Sequence, residues 1–287
     1  EEPPRERALQ GPVFLLLPQA MDRLHQLCSV EDLRLGKVVG RGGTSCVRWT
    51  ERTGTQEKYA TKVFNTLHPE HCKLLSAELR VLLELDCPCV VKFYGAWVDE
   101  NYINLALEAM FLGSLFDMIY VRGNPCFSRP PGVLRWRNRS AGGASQQHGQ
   151  RDERAVLAVA FQILWGLKYL HSKGIAHRDV KPSNVLADTS GSVKLADFGT
   201  ALFLKEKTND VMGTFRYMPP ESAPRKPGDV WAAGLVVAEV FAHDLPFKAC
   251  DSHVELAQLL DESDDDTILE HVLPKKNRAP DSITRLV

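Results

Sequence analysis

The sequence predicts an α+β fold with a mainly antiparallel β-sheet in its first part and mainly helices in the remainder. β-Branched and apolar residues are interrupted by glycines over 33–63, which is typical of strands joined by tight turns. Pro69 then opens a helical pattern, and apolar residues recur at helical spacing again over 153–172. A chain of 287 residues with 44% hydrophobic content is long enough to form two lobes.

Composition argues against several classes of protein. The net charge of −1 gives no global electrostatic case for binding nucleic acid or a membrane surface. The longest nearly apolar run, 230–242, is shorter than a membrane span and contains Glu239. The seven cysteines are odd in number and scattered, without a C-x-x-C pair. We therefore expect no membrane span and a reduced setting, cytoplasmic or nuclear.

The division of the chain follows from the same patterns. Residues 1–30 form a tail with one apolar patch at 13–17, which is either a docking patch or a segment that packs on the domain. The domain is predicted over 31–287, with a first lobe at 31–108, a hinge at 109–113 and a second lobe at 114–287. Within these parts, strands are predicted at 90–96, at 103–108 and around Val185 and Lys194, and helices at 113–120 and from Asp229 onward.

An insert at 122–151 interrupts the second lobe. It is rich in Gly, Pro, Ser and Gln and contains six arginines but no acidic residue. Such a segment cannot bury enough apolar surface to offset its ordering entropy, so we predict that it is disordered. Ser140 follows three of these arginines and is a hypothetical phosphorylation site for a basophilic kinase.

Lys62 and Glu78 are predicted to form an ion pair. Lys62 lies in a predicted strand, and Glu78 lies between Leu74 and Leu82 on the apolar face of the predicted helix. An unpaired carboxylate would be costly to bury there, so a cation is required. Glu84 is a rival partner for the lysine, but it lies off that face.

The run His177-Arg178-Asp179-Val180-Lys181-Pro182-Ser183-Asn184 is the strongest chemical signal. The Asp179 carboxylate can orient a hydroxyl and accept its proton, and Lys181 can neutralise negative charge beside it. Asn184 and Asp197, in the following Asp-Phe-Gly, offer the hard oxygen atoms that Mg²⁺ prefers. Thr214 is predicted to hydrogen-bond Asp179 and Lys181. Asp229 reads either as a helix N-cap or as an anchor for the Asp179 loop.

In this order, these motifs resemble those of eukaryotic protein kinases over about 33–247. The glycine-rich run that precedes these motifs, Gly40-Arg41-Gly42-Gly43-Thr44-Ser45, belongs to the same pattern, although Ser45 replaces the third glycine. The resemblance implies a two-lobed fold that binds ATP and Mg²⁺ between its lobes, with Lys62 on the nucleotide phosphates and Asp197 and Asn184 on the metal. It also implies catalytic roles for Lys62, Glu78, Asp179, Lys181 and Thr214. The nucleotide-contacting residues it implies are Val39, Gly40, Arg41, Gly42, Gly43, Thr44, Ser45, Cys46, Val47, Ala60, Lys62, Leu107, Glu108, Met110 and Leu186.

Lys181-Pro182-Ser183-Asn184 with Gly213-Thr214 resembles the serine/threonine branch, and segments such as 91–96 are similar to mitogen-activated protein kinase kinases. We therefore expect a Ser/Thr kinase, or a dual-specificity enzyme that acts on a downstream kinase. The rival is a pseudokinase scaffold that binds without turnover. The segment between Glu221 and Asp229 is short for the family, and the C-terminal end reads as truncated, without the usual arginine partner of Glu221.

A regulatory switch is also implied by the resemblance. Related kinases carry phosphorylatable residues three and seven positions before the Gly-Thr pair, where this chain has Asp210 and Glu206. A carboxylate imitates a phosphate only in part, and Arg178 is the expected partner. The alternative is that these acids are solvated and that Thr208 is the phosphorylation site.

Overall fold

The computed structural model describes residues 13–120, 153–206, 212–220, 226–273 and 279–287. They form two compact units. The N-terminal unit runs to Met110 and includes 197–201, and the C-terminal unit comprises 111–196 and 202–287. The predicted disordered insert at 122–151 lies outside the described residues.

The N-terminal unit is built on one antiparallel sheet. Its strands are β1 (Leu33–Arg41), β2 (Ser45–Arg52), β3 (Lys58–Asn65), β4 (Phe93–Asp99) and β5 (Tyr102–Glu108), in the order β1-β2-β3-β5-β4. The glycine-rich run forms the turn between β1 and β2, where Gly42 donates its N–H to the Ser45 carbonyl at 2.8 Å. The strand predicted at 90–96 begins later and ends later, because its ladder with β5 runs from Phe93 to Asp99.

One helix, α2 (Pro69–Glu84), packs against β3 of this sheet. Proline at its first position cannot donate a backbone hydrogen bond, and the first turn of a helix does not need one. Leu75, Glu78, Leu79 and Leu82 are buried, whereas Glu84 is exposed. The helix therefore buries one carboxylate among leucines, as its sequence pattern predicts.

A second helix, α1 (Val13–His25), comes from the predicted tail. Its buried side chains include Leu17, Ala20 and Leu24, and it packs against β4 and α2. Leu24 belongs to a buried cluster with Trp97 of β4 and Ala106 of β5. For the described part of the tail, the packed-segment interpretation thus fits the structure.

The C-terminal unit is mainly helical. Its helices are α3 (Leu115–Tyr120), α4 (Glu153–Ser172), α5 (Lys226–Ala242), α6 (His253–Glu262), α7 (Asp265–Val272) and α8 (Asp281–Thr284). Its short strands are β6 (Gly113–Ser114), β7 (Ile175–Ala176), β8 (Val185–Ala187), β9 (Val193–Leu195) and β10 (Leu202–Phe203). Its core is α4 packed on α5, which is buried along most of its length.

Two predicted boundaries in this unit are wrong. The helix expected from residue 113 begins at Leu115, because Gly113 and Ser114 pair with β8 as strand β6. The helix expected to open at Asp229 begins at Lys226, which places Asp229 inside the first turn and removes it from the N-cap position.

Helix α4 is long and apolar enough to cross a membrane by length and composition. A core helix meets the same criteria, and eight of its residues are buried, among them Val159, Ile163 and Leu167. Part of its apolar surface packs on α5, whereas Phe161 and Trp165 are exposed. All six cysteines in the described parts of the chain are free thiols.

Candidate active site

The N-terminal unit holds a charge cluster, the Lys62 cluster, made of Lys62, Glu78 and Asp197. Lys62 Nζ donates to both carboxylate oxygens of Glu78, at 2.8 and 2.7 Å, and to Asp197 Oδ1 at 2.9 Å. Lys62 and Glu78 are buried, whereas the Asp197 side chain is 51% exposed. The predicted ion pair is therefore formed, and Glu84, exposed at the end of α2, is not the partner.

The charges of this cluster keep the lysine protonated. Burial acts to lower the pKa of Lys62, but the charges of Glu78 and Asp197 outweigh it, and the net shift is upward. Burial raises the pKa of Glu78, and the Lys62 ammonium opposes that rise. The cluster thus presents a buried cation beside a half-exposed carboxylate, a combination suited to binding phosphate and a divalent cation.

The residues predicted to contact the nucleotide in this unit lie in strands β1 and β2 and the turn between them, in β3, and in or just after β5. Val47 pairs directly with Lys62 across β2 and β3, and Ala60 pairs with Leu107 across β3 and β5. Val47, Ala60, Leu107 and Glu108 are half-buried, and Met110 is buried. Val39, Arg41, Gly42 and Gly43 are exposed, while Gly40, Thr44, Ser45 and Cys46 are half-buried. Leu186 lies in β8 of the other unit and is half-buried.

The C-terminal unit holds a second cluster, the Asp179 cluster, made of Asp179, Lys181, Asn184 and Thr214. Thr214 Oγ1 donates to Asp179 Oδ1 at 2.9 Å and accepts from Lys181 Nζ at 2.7 Å. Lys181 Nζ lies 2.7 Å from Asp179 Oδ2, and Asn184 Nδ2 donates to the same oxygen at 3.0 Å. The two Thr214 hydrogen bonds are the contacts predicted for that residue, and three side chains in total contact the Asp179 carboxylate.

The loop that carries Asp179 is fixed by Asp229, which lies on α5. Asp229 is 2% exposed, and its carboxylate accepts hydrogen bonds from the backbone N–H groups of His177 at 2.9 Å and Arg178 at 2.8 Å. His171 Nε2 of α4 lies 2.7 Å from the same carboxylate. Arg178 has a φ of 67°, a left-handed conformation that is costly for a residue other than glycine. Of the two interpretations of Asp229, the anchor is the one that fits the structure.

Gly213 shows why the residue before Thr214 has no side chain. Its φ is +119°, and a Cβ built there would lie 2.5 Å from the Arg178 carbonyl oxygen. Backbone atoms cannot yield to such a contact, so only glycine brings Thr214 this close to the Asp179 loop.

A third buried carboxylate, Glu239, was not predicted as a site residue. It is fully buried on α5 and accepts hydrogen bonds from Tyr120 of α3 and Tyr217, each at 2.6 Å. Burial raises its pKa, and the two tyrosines oppose that shift. The sequence signal was available, because Glu239 interrupts an otherwise apolar run, but the run alone does not identify its partners.

The predicted switch is only partly described. Glu206 is half-buried and donates its backbone N–H to the Phe203 carbonyl at 2.8 Å. Asp210, Thr208 and Glu221 lie outside the described residues.

The sequence is similar to those of known protein kinases. The family model for the protein kinase domain matches residues 33–286. Mitogen-activated protein kinase kinase 1 of Arabidopsis thaliana is 30% identical over 80% of this chain and 60% of its own length. The MAP kinase kinase skh1/pek1 of Schizosaccharomyces pombe is 34% identical over 79% of this chain and 58% of its own. Human 3-phosphoinositide-dependent protein kinase 1 is 27% identical over 90% of this chain and 43% of its own.

The chain thus spans about 60% or less of the length of these relatives. The predicted fold class is confirmed, since one unit is an antiparallel sheet with a key helix and the other is mainly helical. The family model covers most of the chain, including both charge clusters. The chain belongs to the protein kinase family.

Proposed function

We propose that this chain is an ATP- and Mg²⁺-dependent protein kinase that phosphorylates serine or threonine hydroxyls. The observation that carries the proposal is the Asp179 cluster, where Lys181, Asn184 and Thr214 all contact one carboxylate. A carboxylate with three side-chain partners has a fixed orientation, and a group that positions a substrate hydroxyl requires a fixed orientation.

In the proposed reaction, Asp179 orients the acceptor hydroxyl and accepts its proton. The hydroxyl oxygen forms a bond to the γ-phosphorus of ATP while the bond from that phosphorus to the departing ADP oxygen breaks. The Lys181 ammonium, 2.7 Å from Asp179 Oδ2, neutralises negative charge that develops on the transferred group. A carboxylate offers about four lone-pair sites, so Asp179 can receive the hydroxyl in addition to its present partners.

Lys62 is proposed to hold the α- and β-phosphates of ATP, with Glu78 fixing its ammonium. Each unit also offers an oxygen ligand of the kind that Mg²⁺ prefers. In the N-terminal unit, Asp197 offers a half-exposed carboxylate. In the C-terminal unit, the amide nitrogen of Asn184 donates to Asp179, so its amide oxygen is the atom left for a cation. When bound, Mg²⁺ neutralises charge on the phosphates.

The relatives support a proposal for the substrate class. Two of those described above are named MAP kinase kinases. We propose that the protein substrate is another kinase in a phosphorylation cascade. The same experiment tests whether the enzyme phosphorylates tyrosine as well as serine and threonine.

The test measures phosphoryl transfer from labelled ATP to acceptor peptides that differ only in Ser, Thr or Tyr, and to a catalytically inactive MAP kinase. Asp179→Asn should lower the turnover rate by about 10²- to 10⁴-fold, the usual contribution of a general base, and leave the MgATP affinity nearly intact. Asp261→Asn, an isosteric change at an exposed position of α6, is the matched control. Nucleotide binding without transfer to any acceptor would favour the pseudokinase scaffold, and full activity of Asp179→Asn would refute the mechanism.

A further inference from the structure

Helix α1 lies outside the region that the kinase family model covers. It ends at His25, and the family model begins at residue 33. It nevertheless packs against α2, the helix that carries Glu78. We propose that α1 is a built-in positioning element, and that Arg23 on α1 is a positioning residue that holds α2 where Glu78 meets Lys62.

The direct contact is a hydrogen bond at the C-terminal end of α2. Arg23 donates from its guanidinium to the Leu83 carbonyl at 2.6 Å. The last four carbonyls of a helix have no partner within the helix, so Leu83 needs an external donor. The bond joins α1 to a backbone atom of α2, so it fixes the position of the helix itself.

Electrostatics at this end of α2 favour the same contact. The last turn of α2 contains no basic residue, and it ends with the acidic Glu84. The carbonyl end of a helix carries partial negative charge, which a cation stabilises and an acidic residue does not. Arg23 supplies from α1 the cation that the sequence of α2 lacks.

The sheet is shaped to receive α1. Gly95 in β4 has a φ of +147°, and the ladder between β4 and β5 shifts register beside it. A Cβ at this position would lie 2.5 Å from the Leu24 nitrogen and 2.7 Å from the Ala20 carbonyl oxygen. The backbone of α1 therefore sits directly on Gly95, at a bulge of the kind that bends a strand. Arg23 directly precedes Leu24, whose nitrogen makes this closest approach to Gly95.

The consequence for function rests on the proposed binding of ATP by Lys62. Glu78 lies five residues before Leu83 on the same helix, so a shift of the end of α2 moves its carboxylate. In protein kinases, the corresponding pair must be in place for phosphoryl transfer. Loss of the Arg23 contact should weaken the Lys62–Glu78 pair and, through it, the affinity for MgATP.

The experiment compares Arg23→Met, which keeps the side-chain stem, with Arg34→Met at an exposed position of β1. Arg23→Met should weaken MgATP binding by about three- to tenfold, the range for loss of one hydrogen bond, and Arg34→Met should not. Arg23→Lys should restore the affinity to within about twofold, because a cation at the helix end returns.

A double-mutant cycle separates positioning from general stability. In a Glu78→Gln background, where the pair is already weakened, Arg23→Met should have little further effect on nucleotide affinity. Equal losses in both backgrounds would overturn the proposal. So would an Arg23→Met protein that binds MgATP like the Arg34→Met control.

A second readout needs no nucleotide. Hydrogen exchange of the α2 amides should be faster in Arg23→Met, and in Gly95→Ala, which fills the seat of α1. Gly54→Ala is the control for Gly95, since Gly54 also has a positive φ, but a Cβ added there would meet no atom within 4 Å. Unchanged exchange in both Arg23→Met and Gly95→Ala would overturn the proposal, whether or not the wild-type protein binds MgATP. A wild-type protein that binds no MgATP would count only against the proposed function.

Discussion

The anchor at Asp229 allows a prediction that is specific to the C-terminal unit. Asp229→Asn keeps the shape of the side chain but replaces one acceptor oxygen with an NH₂ group. The backbone N–H groups of His177 and Arg178 both donate to the carboxylate, so one of them loses its acceptor or faces a donor. A buried donor without a partner costs about 1–3 kcal/mol. The left-handed backbone of Arg178 carries strain on the order of 1–3 kcal/mol, which the two hydrogen bonds to Asp229 offset in the folded protein.

We therefore expect Asp229→Asn to lower the free energy of unfolding by about 1–3 kcal/mol, the cost of one unpaired buried donor. The turnover rate should also fall under conditions in which the Asp229→Asn protein is still folded. Asp179 follows Arg178 directly, and a misplacement of about 1 Å at a reacting group can lower the rate by about 10²-fold. The affinity for MgATP should remain near the wild-type value, because the Lys62 cluster belongs to the other unit.

Urea unfolding and steady-state kinetics of the same preparation measure the two effects, with Asp261→Asn on α6 as the control. The reasoning is refuted if Asp229→Asn matches the control in both stability and turnover. It is also refuted if nucleotide affinity and turnover fall in parallel, since the damage would then not be confined to the Asp179 loop.

Three further changes follow from the described contacts. Asp197→Ala should abolish Mg²⁺-dependent nucleotide binding, measured by titration with and without the metal, and wild-type affinity would contradict the metal assignment. Thr214→Val should lower turnover by about tenfold, whereas Thr214→Ser, which keeps the hydroxyl, should not; equal rates would remove the hydroxyl from the mechanism. Glu239 has a raised pKa, so its protonated form favours folding and its contribution to stability declines as pH rises above its ordinary value of 4.5. Between about pH 5 and about pH 8, the free energy of unfolding should therefore fall less with rising pH in Glu239→Gln than in the wild type. Identical pH profiles would show that Glu239 does not titrate in this range.

The residues whose roles rest on local patterns could be predicted from the sequence. Glu78 is on the apolar face of α2, so its burial and its need for a cation follow from helical spacing alone. Thr214 could be assigned because it follows Gly213 within a motif of fixed length. The family pattern also set the order in which the strands and helices of the two units occur.

The features that depend on tertiary packing could not be predicted. The sequence around Gly95 does not indicate that the backbone of α1 contacts it. A glycine in a strand more often marks a bulge or a bend, so the contact with a helix could not be inferred from it. Pro18 in the middle of α1 argues against a helix there, yet α1 forms because Leu17, Ala20 and Leu24 are buried. The tyrosine partners of Glu239 come from segments far apart in sequence, which no periodicity can pair.

Two residues other than glycine in the functional motifs have left-handed backbone conformations, and they are held there by different means. Asp197 has a φ of 62°, which aspartate tolerates better than most residues, and its own Oδ1 accepts from Lys62. Arg178 has a φ of 67° and no such intrinsic tolerance. Its conformation must be imposed from outside, and the charged acceptor on α5 does so through the N–H groups of two consecutive residues. This difference explains why the Asp179 loop requires a buried carboxylate at position 229, and why removing its charge should affect turnover before it affects the binding of ATP.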